Sequence, residues 1–175
     1  MPAFPRQELE DMMQRWLEAN RRAEASGDWT SMTELYTEDA EYHWNSGPMT
    51  DFVARGHKEI SQWALGLEME GLAGWTYPYQ TVLIDEQKGE IVAFWKQIAD
   101  TKREGGSFYE VAGVGGSHFR YAGNFMWSWQ RDFFDTGNAR ALFTEMGKAG
   151  KLSPAMLKRI SGTSGLPPGH SKRPR

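Results

Sequence analysis

Leu9, Met12, Met13, Trp16, Leu17, Asn20 and Ala23 recur at helical spacing. The pattern predicts an amphipathic helix with one buried face. Pro5 suits its first turn, and Glu8, Glu10 and Asp11 suit the positive end of its dipole. Gly27 is placed to end it in a left-handed conformation, and Asp28 to cap a short second helix over 29–36 with Met32, Leu35 and Tyr36 inward. A short strand is expected over 40–45. A loop with Gly47 and Pro48 is expected over 46–55, and a helix over 57–69 through Ile60, Trp63, Ala64 and Leu67. After Gly71 and Gly74 the pattern becomes extended. Segments 75–85, 91–100, 108–121 and 125–134 read as strands joined by turns at DEQKGE, TKREGGS and AGN, an antiparallel meander. A helix over 138–146 comes next, then a short one opened by Ser153 as N-cap and Pro154 as first residue.

Helices followed by a meander predict an α+β domain in which a curved antiparallel sheet wraps around the N-terminal helices and leaves a cone-shaped cavity. No internal repeat or linker divides the chain. The expected organisation is one domain over 1–150, a short C-terminal helix over 151–160, and a basic Pro/Gly-rich tail over 161–175 without fixed structure. A length of 175 residues suits one domain with a full core. A formal charge of −3 gives no electrostatic case for nucleic acid. No cysteine is present, so disulfides, thiolate metal sites and a Cys nucleophile are excluded. No apolar run reaches membrane-spanning length, and MPAFPRQELED does not read as a signal peptide; a cytoplasmic protein is expected. Eight Trp, nine Phe, six Tyr and nine Met suffice to fill a core, line a cavity for a lipophilic ligand, or cover a subunit interface.

The chemistry concentrates in WSWQRDFFD, 127–135. Strict alternation puts Met126, Ser128, Gln130, Asp132 and Phe134 on one face, and Phe125, Trp127, Trp129, Arg131 and Phe133 on the other. A Ser-Gln-Asp row framed by apolar residues resembles a pocket wall. Desolvation there disfavours the charged carboxylate, raises its pKa and fits it to exchange protons. In the competing reading Asp132 pairs with a buried Arg or Lys and only orders the core. Tyr42 and Trp44 share a strand face, opposite His43. Tyr42 is a candidate donor to a ligand oxygen, or a core phenol. Trp44, Trp63 and Trp95 are candidate apolar lining or core. Gln97, His118 and Gln130 are candidate polar contacts, or surface and structural groups. GVGGS at 113–117 lacks the context of a dinucleotide loop and is expected to mark a bend or a close backbone approach. No nucleophile elbow and no His metal spacing occur, so neither metal nor cofactor is expected.

GDWTSMTELYTEDAEYHW at 27–44 and ARGHKEI at 54–60 resemble the NTF2-like superfamily, in particular its SnoaL-like and ketosteroid-isomerase-like members. The resemblance spans about residues 8–146 and implies the cone fold. It implies no single activity, because the superfamily hosts isomerases, dehydratases, cyclases, epoxide hydrolases and non-enzymes. The ketosteroid isomerase's catalytic Asp falls here on Trp44 and its oxyanion-hole Tyr near Asn20, so that mechanism is not expected. His43, His57 and His118 do not fall on the scytalone dehydratase pattern. QRDFFD at 130–135 resembles the last strand of limonene-epoxide hydrolases, whose catalytic acid falls on Asp132 and whose water-holding Tyr falls on Tyr42. Their Asn is replaced by Trp44. Where their Arg-x-Asp should lie, the chain offers Lys96, Gln97 and Asp100. SnoaL-type cyclases also carry a late-strand Asp, which again favours Asp132.

The expectation is a cofactor-independent enzyme acting on a small lipophilic molecule, by hydrolysis, dehydration or isomerisation. Asp132 would move protons, Tyr42 would hold a substrate oxygen, and Trp44, Trp63, Trp95, Gln97, His118 and Gln130 would line the site. A homodimer through the outer sheet face is expected, with no nucleic acid or membrane partner. The alternative is a non-catalytic protein of the same fold that binds a hydrophobic ligand or a partner protein.

Overall fold

The computed structural model describes residues 2–45 and 51–161. Helix α1 (Arg6–Ser26) buries Leu9, Met12, Met13, Trp16, Ala19, Asn20 and Ala23, and ends at Gly27 with φ 75°, whose N–H bonds the Ala23 carbonyl. A 3-10 turn (Thr30–Leu35) leads into β1 (Tyr36–Asn45), and β2 (Asp51–Arg55) pairs back on it antiparallel. The loop expected over 46–55 is therefore a strand from Asp51 onward, because Phe52, Val53 and Ala54 are all buried against β1 or its neighbours. Residues 46–50 lie outside the described residues, as do residues 162–175 of the expected basic tail.

The helix expected over 57–69 breaks into three pieces: α2 (Gly56–Glu59), a π turn (Ile60–Ala64) and a 3-10 turn (Leu67–Met69). The later strands are β3 (Tyr79–Asp85), β4 (Glu90–Trp95), β5 (Ile98–Lys102), β6 (Phe108–Glu110), β7 (Gly115–Tyr121) and β8 (Trp127–Phe133). Six strands form one sheet in the order β2-β1-β8-β7-β4-β3, with β5 and β6 as a separate ribbon. The two middle strands of the expected meander are thus each cut in two, at 96–97 and 111–114. All pairs in the sheet are antiparallel except β1 with β8, where the chain closes its first strand against its last in parallel. Helices α3 (Thr136–Lys148) and α4 (Pro154–Ile160) complete the domain. Asp135 caps α3 through the Asn138 N–H, and Ser153 caps α4 through the Met156 N–H.

Two apolar cores result. The larger lies between α1 and the inner sheet face, around Trp16, Tyr36, Phe119 and Trp127. The smaller joins α3 and α4 to the β5–β6 ribbon through Trp75, Tyr109, Leu142 and Met156. The architecture is α+β, with a curved, unclosed sheet around the N-terminal helix.

Candidate active site

Between the two cores lies a cavity of about 450 Å³. That volume suits a drug-sized molecule. The larger core contributes Trp16, Trp29, Tyr42 and Trp44, and the smaller contributes Met156. Helix α3 supplies a wall from one face: Thr136, Ala139, Arg140, Phe143 and Thr144 are spaced as successive turns require.

Asp132, on β8, faces this cavity. Its Oδ1 accepts hydrogen bonds from Ser117 Oγ at 2.6 Å and Gln130 Nε2 at 2.8 Å, and its Oδ2 accepts from Tyr42 Oη at 2.5 Å. A second tier fixes the direction of these bonds. Trp95 Nε1, which can only donate, gives its hydrogen to Ser117 Oγ at 3.0 Å and leaves the serine proton for Asp132. Tyr36 Oη donates to Gln130 Oε1, which turns the amide nitrogen toward Asp132. The whole set therefore presents donors to an acceptor, the arrangement an ionised carboxylate requires.

Among the described residues no cation balances the charge. Arg131, the sequence neighbour, bonds Asp51 at 2.9 and 3.2 Å, and Lys96 pairs with Glu110 at 2.7 Å. Burial raises the Asp132 pKa above the ordinary carboxylate value, and the bonds from Ser117, Tyr42 and Gln130 offset part of that rise. Burial, with the Asp132 charge nearby, pushes the Tyr36 and Tyr42 phenols well up, so both remain donors. A carboxylate has about four acceptor positions, and three are filled here. The fourth is left for a proton arriving from the cavity side.

Of the expected site residues, Asp132, Tyr42, Trp44, Trp95, Gln97 and Gln130 all line the cavity. His118 does not. On β7 Ser117 and Phe119 point inward, so His118 points out, where Nε2 lies 3.2 Å from Glu90 and the ring packs on Trp129 at 5.2 Å. Trp63 is also outside the lining. The π turn changes the angular spacing, so that Ala64 and Leu65 face the cavity while Trp63 packs against the larger core. The Ser of the polar row is Ser117, not Ser128. An irregularity between Arg120 and Tyr121 pairs Trp129 and Trp127 with consecutive residues, and Ser128 bulges out to bond the Arg120 carbonyl. Trp127 is thereby turned inward, fully buried and stacked on Phe119 at 4.7 Å.

Sequence reasoning missed Ser117, Tyr36 and Tyr79, and placed Asn20 on the buried face of α1 without seeing that it lines the cavity. Tyr79 Oη accepts from Trp16 Nε1 at 2.8 Å in the cavity wall. A signal for Ser117 is present: Gly115 and Gly116 precede it because a Cβ at either would lie 2.1 Å from the Trp95 ring or 2.2 Å from the Phe133 ring. The close approach expected of GVGGS is what brings Trp95 across the strand to Ser117. Among the described residues no group of three or more His, Asp and Glu converges as metal ligands do, and no helix is long and apolar enough to cross a membrane.

No family model matches the chain, and no curated protein matches it. Solved structures do. PrhC from Penicillium brasilianum is similar with a TM-score of 0.61 at 16% identity, over 86% of this chain and 95% of that one. A protein provisionally described as a SnoaL-like polyketide cyclase from Jannaschia sp. CCS1 gives 0.58 at 14%, over 78% and 91%. An NTF2-like protein of unknown function from Burkholderia pseudomallei gives 0.56 at 16%, over 75% and 95%. This chain has the NTF2-like fold. In NTF2-like terms the cavity is the interior of the cone, and Asp132 stands on its last strand. Identities this low carry the fold and leave the activity to the residues.

Proposed function

We propose that the protein is a cofactor-independent acid–base enzyme of the NTF2-like fold, with Asp132 as general base toward a C–H or water proton of a small lipophilic substrate. The observation that carries this reading is a carboxylate facing an apolar cavity, held by three neutral donors and, among the described residues, no cation. A purely structural acid in such a place would be expected to be ion-paired. Desolvation strengthens it as a base, and the donors set its orientation. Tyr42, expected to hold a substrate oxygen, gives its one hydrogen to Asp132 instead; it remains a phenol and stabilises the carboxylate between turnovers. Arg159, at the cavity wall, is engaged by Glu68. The same element serves hydrolysis, dehydration and isomerisation, and one structural neighbour is provisionally described as a SnoaL-like polyketide cyclase.

A test independent of the natural substrate uses 5-nitrobenzisoxazole. Removal of its C–H proton breaks the N–O bond and releases a coloured cyanonitrophenolate. Wild-type protein is expected to accelerate this elimination above the rate in matched carboxylate buffer. Asp132→Asn is expected to lose roughly 10²–10⁴-fold. Equal rates for the two proteins, with the variant folded, would sink the assignment and leave a binding protein of the same fold.

A further inference from the structure

The inner face of α1 is apolar at every buried position but one: Leu9, Met12, Met13, Trp16, Ala19 and Ala23 surround Asn20. Asn20 is 5% exposed and lines the cavity. Its side chain makes no hydrogen bond or ion pair among the described residues, and its amide is not sealed off from the cavity that the residue lines. A buried amide without a partner is costly, and a leucine of nearly the same shape would suit this face better. The residue is one turn beyond Trp16, whose Nε1 is already committed to Tyr79, so no neighbour on its own helix face competes for what it offers.

We infer that Asn20 is a ligand-binding residue, and that the natural ligand is a neutral lipophilic molecule carrying a carbonyl or hydroxyl oxygen that bonds the Asn20 amide. The amide carries no charge, so it favours a neutral oxygen over a carboxylate or phosphate. The wall carries two cations: Arg159 is tied to Glu68, and Arg140, exposed on α3, has its charge screened by water. Asp132 itself repels an anion brought into the cavity. With the apolar body between α1 and α3, the ligand is held at two polar points, Asn20 for its oxygen and Asp132 for its proton. This inference rests on the base assignment for its chemistry but not for its binding, and the two are read separately.

The test is a rigid pair that differs by one oxygen, 9-fluorenone and fluorene, titrated by calorimetry into wild-type, Asn20→Leu and Asn20→Ser proteins. The Kd ratio of hydrocarbon to ketone is the readout. Asn20→Leu is expected to lower that ratio by roughly tenfold while tightening or preserving fluorene binding, and Asn20→Ser, which keeps a donor, to fall between. Should Asn20→Leu fail to fold, the partial loss in Asn20→Ser carries the test. An unchanged ratio in the variants, or a wild-type protein that binds neither compound, overturns the inference. Benzisoxazole turnover by wild-type protein reports on Asp132 alone, so either reading can fail without the other.

Discussion

The distinctive residue is Asp132, because every described residue that bonds it donates. Ser117, Gln130 and Tyr42 each lower its pKa against the larger effect of burial, which raises it. Removing one donor leaves burial less opposed. The pH at which base activity appears should therefore move upward in Ser117→Ala and in Tyr42→Phe, and a pH–rate profile of benzisoxazole elimination measures it. A downward shift, or none in either variant, would mean that these bonds do not reach the reacting carboxylate. Asn20 poses the complementary case, a polar group with no bond among the described residues. Its replacement by leucine should stabilise the ligand-free protein by about 1 kcal/mol, since an unpaired amide leaves an apolar face and no cavity is opened. Urea unfolding checks this through a higher midpoint at unchanged slope.

At the scale of elements, the sequence is legible wherever a single period holds. Helix α1 with Gly27 at its end, and the Ser153 cap with Pro154 as first residue of α4, can be read because local rules suffice there; Asp28 accepts the Thr30 N–H one residue ahead of the 3-10 turn's cap position, Trp29. Tyr42, Trp44, Gln130 and Asp132 come together as expected because β1 and β8 alternate correctly from residue 129 onward. The failures sit where a period breaks. Ser128 at the bulge in β8, the π turn before Trp63, and the interruptions at 96–97 and 111–114 each reset which side faces inward. For His118 the spacing holds no register to its neighbours, and only pairing opposite Arg131 and Val92 fixes it outside. Pairing partners are long-range, so spacing alone does not contain them. The glycines of β7 give a test at this scale. A Cβ at Gly115 must displace the Trp95 ring, so Gly115→Ala should cost about 1–3 kcal/mol of stability. It should also free Ser117 from Trp95 and raise the pH of onset for base activity. Gly105→Ala, at a position with open space around it, is the control and should do neither.

For the whole molecule, the site is a consequence of having two cores instead of one. The larger core covers α1 with the sheet, the smaller covers the ribbon with α3 and α4, and the gap between them is the cavity that Asp132 faces. Holding a carboxylate there with three neutral donors and, among the described residues, no cation costs folding free energy, and the sign of that cost fixes a prediction. The folded-state pKa of Asp132 is raised, so folding favours its protonated form. That contribution to stability is complete below the unfolded value near 3.8 and is lost as pH rises through the folded value. Asp132→Asn does not titrate and does not lose it. The difference in Tm, variant minus wild type, should therefore grow more positive as pH climbs from about 3.8 and level off once wild-type Asp132 is ionised. Using the difference removes the contribution of the other carboxylates, which are common to both proteins. Paired thermal melts across that range measure it. A difference that stays flat, or that shrinks with rising pH, would mean that the fold holds Asp132 at no electrostatic cost, and the case for a destabilised working base would go with it.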